Sequence, residues 1–193
     1  MNTLPFESEV ILNLAARNWR LFPVRARGKQ PLINDWPGQA TTDRGHLASW
    51  AKRFPGCNWG VATGPESGIF VLDVDGEQGL AAVIEFEHSG RALPRTLTAQ
   101  TGKGSHAYFR WPAGLDLRNS ASKLAPSLDV RAAGGYVVVP PSVHPSGTPY
   151  EFVDEKVPVS AAPGRKEASM HGSCPRDFEI VRSPQKARRR PRG

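Results

Sequence analysis

Residues 69–76 read IFVLDVDG, and this one stretch narrows the folds open to the chain. Ile, Phe, Val and Leu suit a pleated, apolar surface, so the segment begins as a buried β-strand. Side chains alternate along a strand, which puts Ile69, Val71, Asp73 and Asp75 on one face and Phe70, Leu72 and Val74 on the other. A face that starts apolar therefore ends in two carboxylates, about 7 Å apart at a rise of ~3.3 Å per residue. Like charges at the end of a hydrophobic strand are costly to bury unless a counter-charge neutralises them. A divalent cation does this, and Mg²⁺ takes one or two carboxylates together with substrate phosphates. Gly76 then permits a sharp turn and close approach of a ligand to the backbone. The simpler alternative is a strand that ends in two solvated acids, and this stretch alone does not separate the two.

The segments before it read as a small α/β unit. Ser8 can cap a helix over 9–19, and 21–24 reads as a short strand. RARGKQPLINDW (25–36) is a loop broken by Gly28 and Pro31. Lys29 in that loop could reach a phosphate, although a solvated loop lysine is the commoner role. Thr42 or Asp43 can cap a second helix, through Lys52, that buries Leu47 and Trp50. NWGVAT (58–63) reads as a strand. The turn at 64–68 is too short for a crossover helix, which predicts that this strand pairs antiparallel with the acidic one.

After the acidic strand, a helix is expected over 77–88 with Leu80, Val83 and Ile84 facing inward. Strands at 96–100 and 106–111 form a hairpin whose connection is Thr101-Gly102-Lys103-Gly104-Ser105. Glycines expose backbone N–H groups and lysine adds a point charge, so this loop suits an anion such as a triphosphate. It is not a Walker A loop: Leu97 stands where that motif needs its first glycine, and a strand follows in place of a helix. His106 shares the inward side with Tyr108, and a lone strand histidine is usually structural. Residues 114–126 look irregular or weakly helical. SLDVR (127–131) repeats the apolar-then-acid pattern, with Asp129 and Arg131 on one face, where a plain ion pair would also account for them. Tyr136–Val139 is a buried strand, PPSVHPSG (140–147) a rigid loop, and 150–153 a last strand.

The net charge of +7 is unevenly spread. Residues 158–193 hold nine Lys/Arg and three Asp/Glu, whereas the first 157 hold sixteen and fifteen. This predicts a nearly neutral domain over 1–157 and a basic, largely disordered tail over 158–193. A nucleic-acid footprint on the domain would then be a local groove. The two cysteines form no CxxC pair, which argues against a zinc knuckle and fits a cytoplasmic protein. No apolar run is long enough to span a bilayer, and MNTLPFESEV has no secretion-signal pattern.

Four segments, in order, resemble the primase–polymerase domain of the archaeo-eukaryotic primase superfamily. This is the bifunctional DNA primase/polymerase type of plasmids, phages and integrated elements. GVATGPESGIFVLDVDG resembles its approach strand and paired-acid motif, TGKGSHAYFRWP its small-residue-x-His motif, and SLDVRAAGGYVVVPPSVHPSG its third-acid strand and proline loop. GKQPLINDW resembles the lysine–proline–tryptophan segment that precedes them.

The resemblance implies an α+β fold: a mixed, largely antiparallel sheet like an RNA-recognition-motif core, with flanking helices. It implies that Asp73, Asp75 and Asp129 bind catalytic Mg²⁺ or Mn²⁺, and that Ser105 and His106 contact the triphosphate of an incoming (d)NTP. Lys103 and Arg131 stand where cations would neutralise the same phosphates. The implied activity is nucleotidyl transfer on a single-stranded DNA template. Larger relatives carry a helicase or a helical priming module after this domain; here the Arg-rich tail follows, and a helicase encoded separately is a possible partner. Two other readings use the same acids: a non-catalytic nucleotide- or DNA-binding replication accessory, and a metal-dependent nuclease or phosphoesterase. The polymerase reading requires Asp129 to fold back beside the Asp73/Asp75 pair, with His106 facing them.

Overall fold

Alternation along the strands produces two apolar layers, and the sheet bearing the acids lies between them. The structure, a computed structural model, describes residues 6–162. An N-terminal group comprises α1 (Phe6–Ala16), β1 (Leu21–Val24), α2 (Trp36–Gln39), α3 (Arg44–Arg53) and β2 (Asn58–Thr63). Then come β3 (Ile69–Asp75), α4 (Gly76–His88), β4 (Thr98–Gln100), β5 (Gly104–Arg110), β6 (Ser120–Ala125) and β7 (Leu128–Arg131). The last elements are β8 (Gly135–Val139), β9 (Glu151–Phe152) and β10 (Ser160–Ala161). Among the described residues, β1, β2 and β8 form a three-stranded antiparallel sheet. The larger sheet runs β6-β7-β3-β5-β4-β9, with β10 added parallel to β5. The fold is thus α+β and mostly antiparallel.

One face of the larger sheet carries Phe70, Leu72, Val74, Phe109, Leu128 and Val130, which pack on Ala82 and Phe86 of α4. The other carries Ile69, Val71, Ala99 and Tyr108. These join Val61 and Val137–Val139 of the small sheet and Trp19 and Leu47 beyond it. Each Val, Leu, Ile or Phe side chain among them taken out of water contributes about 1.5–3 kcal/mol. Asp43 caps α3 as expected, accepting from His46 N at 2.7 Å, and Leu47 and Trp50 are buried.

Several expectations are corrected. β2 and β3 are not sheet neighbours: β1 and β8 take both edges of β2, β5 and β7 take both edges of β3, and only the Gly64–Ile69 bridge links the corner. α1 begins at Phe6, so Ser8 lies inside it instead of capping it. In α4 the buried residues are Gly79, Ala82 and Phe86, while Leu80 and Ile84 are 56% and 43% exposed. The reason is Gly79: a Cβ there would lie 2.7 Å from the Ser127 carbonyl and 3.1 Å from Val74 Cγ1. The helix docks where it has no side chain, and that choice decides its face. Residues 120–125, expected to be irregular, form the edge strand β6. The sheet also extends past residue 157: Leu97 N donates to the Pro158 carbonyl, and Ser160 N to Thr96 Oγ1. The rest of the predicted tail, 163–193, lies outside the described residues.

Candidate active site

Strand register brings the predicted residues together. Asp73 is the cross-strand partner of His106 on β5 and of Asp129 on β7. Directly opposed residues in antiparallel strands point to the same face. Asp129, Asp73 and His106 therefore make one row across three strands, on the face turned to the small sheet. The next row on that face is Arg131, Val71 and Tyr108. His106 Nε2 lies 3.5 Å from Asp73 Oδ1. Arg131 Nη2 donates to Asp129 Oδ2 at 2.9 Å and to Asp73 Oδ2 at 3.3 Å. The remaining Asp129 oxygen accepts from Ser122 N at 2.9 Å, so the bulged edge strand β6 orients it.

The row opens into a cavity of about 320 Å³ between the two sheets. Asp73, His106 and Arg131 line its floor; Gly135, Tyr136, Val137 and Val138 of β8, with Lys29, Trp36 and Tyr150, line the rest. Trp36 and Tyr136 meet edge-on with ring centroids 4.8 Å apart, giving the cavity an aromatic side.

Burial sets the electrostatics. The Asp73 carboxyl is held above its usual value chiefly by loss of solvent, which outweighs the opposing pull of Arg131 and Lys29. His106 is driven down to about 3, first by burial and then by Lys29, with Asp75 pulling the other way. It is neutral near pH 7 in the free protein. Its Nδ1 and the Tyr108 hydroxyl are buried without a hydrogen-bond partner among the described residues.

The other predicted residues stand apart from the row. Asp75 is exposed at the strand end, opposite Gly104, and its charge reaches His106 and Tyr150 through space. Among the described residues no group of three or more His, Cys, Asp or Glu is close enough together to hold a metal ion. Ser105 opposes Val74, so its side chain takes the α4 side of the sheet, away from His106. Lys103 is exposed in the short β4–β5 connection. That connection rests on His144: a Cβ on Gly102 would lie 2.2 Å from His144 Nδ1.

The pattern reading underrated Lys29, and it passed over Tyr136, Tyr150 and Asn119. Lys29 was visible as a cation in a Gly/Pro loop, but nothing in the sequence shows that the loop folds over the acids. Asn119 Oδ1 accepts from Ala132 N at 2.7 Å and ties the β7–β8 turn beside the cavity.

A family profile described as bifunctional DNA primase/polymerase, N-terminal (Prim-Pol), matches residues 11–165. The chain belongs to this family. A comparison with curated proteins finds no match. The Prim-Pol match begins within α1 and runs past β10, so it takes in both sheets and the cavity between them. No helix among the described residues is long and apolar enough to cross a membrane.

The donor chemistry of this Prim-Pol domain fits a hard divalent cation at two of the three acids. Asp73 and Asp129 each direct an Oδ2 at one nitrogen of Arg131, so both carboxylates already converge on a single positive centre. Carboxylate oxygens are the ligands that Mg²⁺ and Mn²⁺ take.

Proposed function

We propose that this domain is a DNA primase/polymerase that transfers nucleotidyl groups from (d)NTPs on a single-stranded DNA template. The observation that carries the reading is the Asp129–Asp73–His106 row, of which Asp73 and His106 line a cavity that Lys29, Arg131, Trp36 and Tyr136 also line. Asp73 and Asp129 would hold Mg²⁺ or Mn²⁺, with Asp75 reached from the strand end. Metal bound there would supply Lewis-acid activation of the attacking 3′-oxygen and charge stabilisation of the leaving pyrophosphate. Arg131 holds the two carboxylates together at the cavity, 2.9 Å from Asp129 Oδ2 and 3.3 Å from Asp73 Oδ2, as a planar double donor. His106, neutral and fixed beside Asp73, offers a donor to a phosphate oxygen without adding repulsion toward the cation site.

The test is primer extension and dinucleotide synthesis with Mg²⁺ or Mn²⁺ on a single-stranded template. Metal-dependent incorporation is expected, with Asp73→Asn reducing it by three orders of magnitude or more. An equal rate in Asp73→Asn overturns the reading.

A second reading has a specific observation in its favour: Arg131 bridges Asp73 and Asp129, and Asp75 stands outside the cluster. A domain locked in that state would bind a nucleotide without turning it over and serve as a replication accessory. Triphosphate binding without incorporation under either metal would select it. Release of nucleotides from DNA independent of dNTPs would instead point to a phosphoesterase.

A further inference from the structure

The 25–30 loop is built onto the cavity wall. Arg25 N donates to the Gln30 carbonyl at 2.8 Å, and Gly28 N to the Arg25 carbonyl at 3.0 Å. Two successive carbonyls are then gripped by side chains of the small sheet: Gly28 O by Asn58 Nδ2 at 3.1 Å, and Lys29 O by the Tyr136 hydroxyl at 2.7 Å. Tyr136 is itself wedged edge-on against Phe22 and Trp36, at centroid distances of 5.3 and 4.8 Å. An exposed lysine is thereby fixed from its main chain while its side chain lines the cavity.

The cations near the cavity are not equivalent. Arg131 is occupied by two carboxylates. Lys103 does not line the cavity. The Lys29 ammonium has no ion-pair partner among the described residues, yet its charge reaches Asp73, His106 and His144. Lys29 belongs to the small-sheet side, whereas Asp73, His106 and Asp129 stand on the larger sheet. An ammonium is a compact charge with three donors, suited to phosphate oxygens that present no single plane.

We propose that Lys29 holds the phosphate chain of a bound nucleoside triphosphate from the wall opposite the Asp129–Asp73–His106 row, and that Tyr136 is the positioning residue that sets it there. This rests on the nucleotide-binding part of the proposed function. The bland alternative is that Lys29 merely offsets the charge of Asp73. In that case its removal would alter stability and leave nucleotide affinity untouched.

The experiment is equilibrium binding, by calorimetry with Mg²⁺, of a non-hydrolysable α,β-imido dNTP and of the matching nucleoside. Wild-type protein should prefer the triphosphate. Lys29→Met should weaken the triphosphate at least tenfold and leave the nucleoside within twofold. Lys29→Arg should recover most of the loss. Tyr136→Phe, which keeps the ring and removes the hydroxyl, should weaken the triphosphate severalfold with the nucleoside unchanged. If the wild-type protein binds the triphosphate and Lys29→Met binds it equally, this inference falls and the proposed function stands. If the wild-type protein shows no preference for the triphosphate, both fall.

Discussion

Asp73 Oδ1 stands 3.5 Å from His106 Nε2 while Asp73 Oδ2 stands 3.3 Å from Arg131 Nη2, so one carboxylate is held between a neutral imidazole and a guanidinium. The Asp73 side chain is only 13% exposed and that of His106 only 8%. Neither group has enough water to carry its charge cheaply, which makes the pair sensitive both to pH and to what enters the cavity.

Asp73→Asn should separate activity from stability. The carboxyl is shifted upward, mainly by burial. A raised folded-state value means that its contribution is favourable below the ordinary carboxyl value of 3.8 and is lost as pH rises through the folded value. At neutral pH the ionised group is therefore a net cost, and the isosteric amide removes it. Nucleotidyl transfer should fall by at least ~10³-fold while the Tm of the ligand-free protein at neutral pH does not fall. Thermal melts with and without Mg²⁺ check this.

His106 gives the opposite slope. Its folded value lies near 3 against the ordinary 6.5 of a histidine, so the unfolded chain takes up a proton first as the solution is acidified. Its contribution is fully present above pH 6.5 and is lost between 6.5 and about 3. Denaturant titrations across that window should show steeper acid destabilisation in the wild-type protein than in His106→Gln.

The β4–β5 connection should tolerate nothing larger than glycine at position 102. A Cβ there meets the His144 ring at 2.2 Å, and that ring is fixed by Ser146 N donating to its Nδ1 at 3.2 Å. Gly102→Ala should cost about 1–3 kcal/mol by overpacking. The double variant Gly102→Ala/His144→Ala should recover part of it, with a coupling of at least 0.5 kcal/mol in a double-mutant cycle.

On α4, charge should be accepted at Leu80 and Ile84 and rejected at the opposite face. Leu80→Lys and Ile84→Glu should stay within about 0.5 kcal/mol of the parent, since both sites are open to solvent. Phe86→Ala removes a buried ring from the layer under β3 and β5 and should cost about 3 kcal/mol. Chemical denaturation reads both.

Legibility followed the strength of the strand period. The strands at 58–63, 69–75, 128–131 and 136–139 could be read from their apolar and β-branched runs, and the shared face of Asp129 and Arg131 follows from alternation; that Asp73 joins them is set by the β3–β7 register, which no local pattern shows. The same rule places Ser105 on the face opposite His106, because β5 begins at Gly104, a start that the Gly-Lys-Gly run does not announce. β6 was illegible because SASKLA is a solvated, bulged edge strand with no apolar period to detect. α4 carries two apolar stripes, and the contact made at Gly79 decides between them. Lys29 and Tyr136 lie 107 residues apart, and nothing local to either announces the hydrogen bond that joins them.

The short strand β10 has a practical consequence. It pairs Ser160 and Ala161 with Phe109 and Arg110, on the flank of β5 that β4 leaves uncovered. A truncation after residue 157 would strip that flank bare, three residues along the backbone from the histidine, and open amide edges recruit neighbouring molecules. Such a fragment would be expected to aggregate and to lose its catalytic geometry together, so an inactive shortened protein would say nothing about chemistry unless its cut falls beyond residue 162.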